Sequence, residues 1–222
     1  MSTTTLPNEI SPRQLFDLME RPETPFLLLD VRNEEEFAAW RIEGKHQPET
    51  IHIPYFDFLE DEAASVEKLR AHQGKPIVVV CAKGGSSDYV AGVLRENGFT
   101  ASNLEGGMIA WGDLLIPVDV PSREGLVIKQ LQRVGKGCVS YFIGNRDGAI
   151  IVDPARHIAP YTALADELGM PIKIVFDTHL HADHISGGPE LAEATGARYL
   201  IDAHDAEGAK MKFEAIEPGH VE

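Results

Sequence analysis

Only two cysteines, Cys81 and Cys138, occur among the 222 residues. They are too few for a disulfide framework, so each has to be explained as a packed core residue or a chemically active thiol. Long apolar runs are missing too, and no segment is long enough to cross a bilayer. The N-terminus, Met1-Ser2-Thr3-Thr4-Thr5-Leu6-Pro7, has no basic stretch leading into an apolar core. No secretory signal is therefore expected, and the cytoplasm is the expected compartment. Positive charge is scarce: 20 Lys and Arg against 35 Asp and Glu leave a net charge of −15. That balance argues against nucleic acid or an anionic membrane surface as a partner. An anionic small molecule remains a possible substrate if cations or backbone N–H groups are placed locally to receive it.

What is present is an ordinary globular composition, 43% hydrophobic and 25% charged, in a chain long enough for two modest domains. Of its nine histidines, three fall in Thr178-His179-Leu180-His181-Ala182-Asp183-His184. The apolar, β-branched Ile172-Lys173-Ile174-Val175-Phe176 before this stretch predicts a buried strand. Ser186-Gly187-Gly188-Pro189 after it opens a helical pattern. Four side chains able to bind metal are thus delivered to a loop at the carboxyl end of a strand, where open α/β sheets place their chemistry. Metal binding is expected here. Two histidines two apart in an extended loop place both imidazoles on one side for one metal. Asp183 and His184 then fall beside a second position, or Asp183 supports the first from behind.

A second chemical centre is expected earlier in the chain. Ser11-Pro12 predicts a helix start with Leu15, Phe16 and Met19 inward, and Phe26-Leu27-Leu28-Leu29 a buried strand. Asn33, with Glu36 three residues on, predicts the next helix. A short strand is expected at His52-Ile53-Pro54, one helix over 57–71, and a buried strand at Ile77-Val78-Val79-Val80. That strand ends in Cys81-Ala82-Lys83-Gly84-Gly85-Ser86-Ser87, followed by a predicted helix over 88–97 with Tyr89, Val90, Val93 and Leu94 inward. A thiol between a strand and a helix amino end has its pKa lowered. The two glycines let successive N–H groups turn inward as an anion nest, and Lys83 adds a cation. Cys81 is therefore the expected nucleophile, with Ala82, Lys83, Gly84, Gly85, Ser86 and Ser87 as the loop that holds its substrate.

Together with Leu28-Leu29-Asp30-Val31-Arg32, Glu36-Phe37 and Leu104-Glu105-Gly106-Gly107-Met108-Ile109-Ala110-Trp111, this loop resembles that of the rhodanese sulfurtransferases. The resemblance runs from about Ser11 to Pro117. It implies a five-stranded parallel sheet with helices on both faces, and a Cys81 persulfide as sulfur carrier. Where many members have arginine just before the last loop serine this chain has Ser86, which weakens thiosulfate as a donor. The segment 43–50 replaces the family's tight glycine-proline turn. A cysteine phosphatase would need arginine six residues after the cysteine, where Ser87 stands.

Domain 1–117 is expected to be followed by a proline-containing linker over 118–125 and a second domain over 126–222. Apolar segments at 126–134, 138–143 and 149–152, separated by glycine, asparagine and aspartate, predict a β-meander that ends at Asp153-Pro154. Cys138 is expected as a packed core thiol within it. A helix over 161–168 and a last strand over 198–201 complete the pattern. From Gly137-Cys138-Val139-Ser140-Tyr141 through Asp153-Pro154 to the histidine motif, this half resembles the metallo-β-lactamase fold. It is most similar there to persulfide dioxygenases, then to glyoxalase II-type thioester hydrolases.

For the dioxygenases the resemblance implies one Fe(II), with His179 as the ligand from this motif and His181, Asp183 and His184 close by. For the hydrolases it implies two zinc ions. Few histidines follow the motif, only His204 and His220, so an incomplete αββα domain is expected. The leading expectation is a sulfurtransferase coupled to an iron-dependent persulfide dioxygenase acting on a small persulfide or thiol such as glutathione persulfide. The alternatives are a rhodanese joined to a zinc hydroxyacylglutathione-type hydrolase, and a sulfurtransferase with a non-catalytic metal-domain remnant. A homo-oligomeric state is left open.

Overall fold

Leu27, Leu28, Leu29 and Asp30 are all buried, as are Ile77 to Val80, the mark of parallel strands covered on both faces. In the computed structural model, which describes residues 6–181, 185–206, 208–217 and 219, the chain divides into two compact units, Met1–Leu114 and Leu115–Glu222. No helix among the described residues is long and apolar enough to cross a membrane.

The first unit runs β1 (Glu9–Ile10), α1 (Pro12–Met19), β2 (Leu27–Asp30), α2 (Glu34–Ala39), β3 (Glu49–His52), α3 (Tyr55–Glu60), α4 (Glu62–Glu67), β4 (Ile77–Val80), α5 (Gly85–Glu96), β5 (Ala101–Leu104) and α6 (Gly107–Asp113). Its five strands pair in parallel in the order β1-β5-β4-β2-β3. Leu27, Leu29, Ile77 and Val79 pack with Phe58, Val66, Val90 and Leu94 of α3, α4 and α5. Leu28, Val78 and Val80 alternate to the opposite face and are buried as well, so both faces are covered. The order reverses between β2 and β4, and the carboxyl ends of such strands open onto the crevice where α/β sheets bind ligands. Cys81 follows β4 there.

The caps follow the expected chemistry. Ser11 and Gln14 form a reciprocal capping box at α1, and Asn33 caps α2 through the Glu36 N–H at 2.8 Å. The single helix expected over 57–71 is instead α3, α4 and a 3-10 turn at Arg70–His72. Asp61 causes the break: its extended φ of −148° ends α3, while its carboxylate accepts from Ala64 N at 3.0 Å and starts α4. The expected short strand lies three residues earlier, as β3.

The second unit runs β6 (Leu115–Asp119), β7 (Val127–Arg133), β8 (Cys138–Asn145), β9 (Gly148–Val152), α7 (Ala159–Leu168), β10 (Ile172–Asp177), α8 (Gly188–Thr195), β11 (Arg198–Asp202) and β12 (Glu214–Ile216). These form one seven-stranded sheet, β12-β11-β10-β9-β8-β7-β6. The meander β6 to β9 is antiparallel, and β9 to β12 are parallel. Tyr161, Leu164, Leu191 and Ala192 from α7 and α8 join Leu131, Phe142, Ile151 and Val175 in one core. The helices therefore share one sheet face. The opposite face carries half-buried Tyr141, Ile143, Ile150, Val152, Ile174 and Phe176.

The boundary differs from the one expected at residue 117. Leu115–Asp119 pairs antiparallel with β7 and belongs to the second unit, so the irregular residues between β6 and β7 are a connection inside that unit, and the division falls between Leu114 and Leu115. Pro117 made this segment look like linker. It stands opposite Leu131 in an edge strand, where a missing N–H costs the sheet little.

Candidate active sites

The first site is built where β4 gives way to α5. Gly84 takes φ +97°, a left-handed turn that folds the loop back over the thiol. Cys81 Sγ then accepts from Gly84 N at 3.1 Å and from Ser87 Oγ at 3.1 Å. Cys81 is 5% exposed and Ser87 fully buried. Burial pushes the thiol pKa up, but hydrogen bonds from the Ser87 side chain and from the N–H groups of Ser87, Lys83 and Gly84 outweigh it, so the net direction is down. These contacts favour the thiolate form of the sulfur.

Helix α5 begins at Gly85, so Gly85, Ser86 and Ser87 form its first turn and the irregular loop is only Cys81 to Gly84. Lys83 acts on the sulfur through its N–H, while its side chain is exposed. Tyr89, expected inward, is 43% exposed and meets Tyr55 edge-on at 5.7 Å.

The loop is clamped from behind. Met108 N donates to Cys81 O at 2.9 Å and Ile109 N to Ala82 O at 3.1 Å, so the first turn of α6 holds the two carbonyls beside the thiol. This needs glycine at 107, which has φ +56° and where a Cβ would lie 2.2 Å from Cys81 O. Gly107→Ala is expected to destabilise the protein by roughly 2–5 kcal/mol, about 1–2 for the left-handed backbone and about 1–3 for the overlap. Urea unfolding checks this; an unchanged midpoint would mean that α6 does not clamp the loop.

The second site lies at the carboxyl ends of β9 and β10. His179, His181 and Asp153 offer ligand atoms that all lie within 4.8 Å of one another. Asp153 follows β9, the His pair follows β10, and the two strands are parallel neighbours, so both deliver to the same edge. Asp153 has φ +51°, the sole non-glycine positive φ among the described residues, a local strain of the kind stored at functional sites. Its carboxylate accepts from Thr178 N at 2.7 Å and from Thr178 Oγ1 at 2.9 Å, and lies 3.2 Å from His181 Nε2. Because the Thr178 hydroxyl gives its proton to Asp153, it accepts from His179 Nδ1 at 2.9 Å, which leaves His179 Nε2 as a free lone pair. Tyr161, fully buried, accepts from Ala155 N at 2.7 Å and meets Ser140 Oγ at 2.7 Å, pinning the turn that aims Asp153.

Behind the histidines, Asp177 is 2% exposed; its Oδ2 accepts from Tyr199 at 2.7 Å, and its Oδ1 has no hydrogen-bond partner among the described residues. Burial pushes its carboxyl pKa up, against hydrogen bonds from Ser186 and Tyr199. Oδ1 lies 3.9 Å from His181 Nε2. An orphaned buried oxygen, two imidazoles and a carboxylate make a donor set that fits a first-row metal.

A cavity of about 290 Å³ opens at this group, lined by Arg133, Lys136, Cys138, Ser140, Asp153, His179 and His181 among others. Cys138, expected in the core, is half-buried and lines this cavity, because β8 turns its even-numbered side chains to this face and Cys138 stands at the strand's open end. Asp183 and His184, expected at the metal, lie outside the described residues, as does His220. His204 is 85% exposed by side chain, pairs with Asp202, and does not belong to the group. Asp153 was not anticipated. The signal was available in an aspartate just after an apolar strand, but only strand order shows that this strand neighbours the histidine strand.

Two family matches partition the chain as the two units do. Residues 11–114 match the Rhodanese-like domain and 133–222 the Metallo-beta-lactamase superfamily. The sulfurtransferase-like protein YtwF of Bacillus subtilis is 35% identical over 103 residues, covering 46% of this chain and 88% of YtwF. The chain belongs, in its first part, to the rhodanese family, and its second part matches the metallo-beta-lactamase superfamily over residues 133–222. More particularly, a rhodanese-like domain is followed by a stretch that matches the metallo-beta-lactamase superfamily, and sulfurtransferases and a persulfide dioxygenase are among the proteins the chain resembles. Human mitochondrial persulfide dioxygenase ETHE1 is 30% identical over 113 residues, covering 43% of this chain and 44% of ETHE1. The maize adenylyltransferase and sulfurtransferase MOCS3-1 is 37% identical over 91 residues, 40% of this chain and 18% of its own. The chain thus spans less than half the length of these last two. Among solved structures, a rhodanese-like domain protein from Staphylococcus aureus shares 34% identity over 48% of this chain and 92% of its own, with a TM-score of 0.37.

Proposed function

We propose that this protein moves and oxidises sulfane sulfur: Cys81 carries sulfur as a persulfide, and the second site oxidises a small persulfide such as glutathione persulfide with O₂. The observation that supports the first step is the Cys81 sulfur accepting both Gly84 N–H and Ser87 O–H. The Cys81 thiolate attacks the outer sulfur of a donor persulfide, forming Cys81–S–S⁻ and releasing the donor thiolate. An acceptor thiolate then takes that outer sulfur, and the Cys81 thiolate returns. The N–H groups that hold the thiolate stay in place to receive the charge when it returns.

In the second site His179, His181 and Asp153 would hold the metal. One Fe(II), with its two-histidine, one-carboxylate preference, would bring persulfide and O₂ together when bound. The overall reaction is RSSH + O₂ + H₂O → RSH + SO₃²⁻ + 2 H⁺. Thr178 fixes the Asp153 carboxylate and the His179 tautomer. Arg133 and Lys136 line the same cavity and supply the cations that an anionic persulfide needs in so acidic a chain.

Anaerobic loading of the full chain followed by oxygen-electrode measurement tests this. About one iron per chain and sulfite formed in step with O₂ uptake are expected. Stoichiometric zinc with thioester hydrolysis and no O₂ uptake would favour the hydrolase. Sulfur transfer without stoichiometric metal would leave Cys81 as the sole catalytic centre. Asp153→Asn should weaken metal binding about 10–100-fold, read by equilibrium dialysis; wild-type affinity would remove Asp153 from the site.

A further inference from the structure

The Ser87 hydroxyl has one proton and three acceptors within reach. They are Cys81 Sγ at 3.1 Å, Gly84 O at 3.1 Å and Asn103 Oδ1 at 2.7 Å. Oxygen is the stronger acceptor and Asn103 the nearest of the three. Asn103 is 3% exposed on β5, and its Nδ2 donates to Glu9 Oε1 at 3.0 Å. A carboxylate only accepts, so Glu9 fixes the amide with its oxygen toward Ser87. With the proton on Asn103, a Ser87 lone pair faces Sγ and accepts from a neutral S–H. With the proton turned to Sγ, the same hydroxyl stabilises the thiolate.

We propose that Asn103 is a positioning residue for sulfur transfer, competing with the Cys81 sulfur for the Ser87 proton. The inference rests on Cys81 being the sulfur carrier. In the thiol and the persulfide, where Sγ carries no charge, the Ser87 proton rests on Asn103; in the thiolate it turns to Sγ. The competition keeps the thiolate from being held too tightly, and a less stabilised thiolate is the better nucleophile toward sulfur. Two buried residues thereby set how reactive the thiol is.

Charge does not account for the same effect. The causes that move the thiol are burial and hydrogen bonds. The titratable groups nearby are Lys83 in the loop, Asp88 in the first turn of α5, Tyr55 and Tyr89 where α3 meets α5, Glu105 ahead of α6, and the Asp30–Arg32 pair ending β2. Glu9 is connected through Asn103.

The test is the pH dependence of Cys81 alkylation by iodoacetamide in the full chain, followed on the Cys81 peptide by mass spectrometry so that Cys138 does not interfere. Asn103→Leu should lower the apparent thiol pKa by about one unit, the worth of one hydrogen bond to a charged group. Ser87→Ala should raise it, and Asn103→Leu added to Ser87→Ala should change nothing further. Asn103→Ala gives the same comparison if the leucine variant folds poorly. A rise or no change on removing Asn103, or an equal shift in the Ser87→Ala background, overturns the proposal. A lowered pKa in a protein that transfers no sulfur from any donor would keep the competition for the Ser87 proton but sink the sulfurtransferase reading, and with it the role of Asn103 in transfer.

Discussion

Cys81→Ser is expected to abolish sulfane-sulfur transfer to cyanide or a thiol, a loss of about a thousandfold or more, while the chain folds normally. Serine fits the space, and its hydroxyl can still accept from Gly84 N and Ser87, the contacts that now reach Sγ at 3.1 Å. What it lacks is a sulfur able to bond to sulfane sulfur and leave again. Cyanolysis of the full chain and mass analysis for an added sulfur atom check this together. Transfer that survives would assign sulfur carriage elsewhere, and Cys138 is the remaining thiol. The same variant should leave stoichiometric metal binding unchanged, because Cys81 and the metal-capable group belong to different units of the chain.

Arg32→Met carries the largest expected cost in stability, about 3–5 kcal/mol. Arg32 and Asp30 form an ion pair whose side chains are 5% and 4% exposed, with Nη2 2.6 Å from Asp30 Oδ2. The guanidinium also donates to Glu36 O at 3.1 Å and Trp40 O at 2.7 Å, tying the end of β2 to α2. Methionine fills much of the volume but leaves the Asp30 carboxylate buried, still accepting from the backbone N–H of residue 32 at 3.0 Å but stripped of the guanidinium. The double variant Asp30→Leu, Arg32→Met should recover part of the loss, since an apolar pair carries no charge to desolvate. Chemical denaturation of the two variants beside the wild type separates these effects. Equal losses in the single and double variants would show that packing, not the buried charge, sets the cost.

Much of the first unit was legible because its signals are local. Four consecutive apolar residues, a cysteine, two glycines and a helical pattern specify a strand, a turn and a helix amino end without reference to distant residues. The misreadings have local causes as well. Asp61 divides one helical pattern into two because it both ends and caps, and Pro117 imitates a linker because edge strands tolerate proline. Tyr89 has the right spacing to face inward yet meets Tyr55 at the surface, since period alone does not say how wide the buried stripe is.

By itself, the sequence determined the class of chemistry: a thiol at the mouth of a strand and an imidazole pair at the mouth of another, each written within a few consecutive residues. Tertiary structure alone decided which distant groups complete them. Asp153 reaches His181 across 28 positions because β9 and β10 lie parallel, and Asn103 reaches Ser87 across 16 because β5 lies beside β4. Strand order and register emerge from packing of the whole sheet, so partners so far apart in the chain leave no mark in the spacing of neighbouring residues.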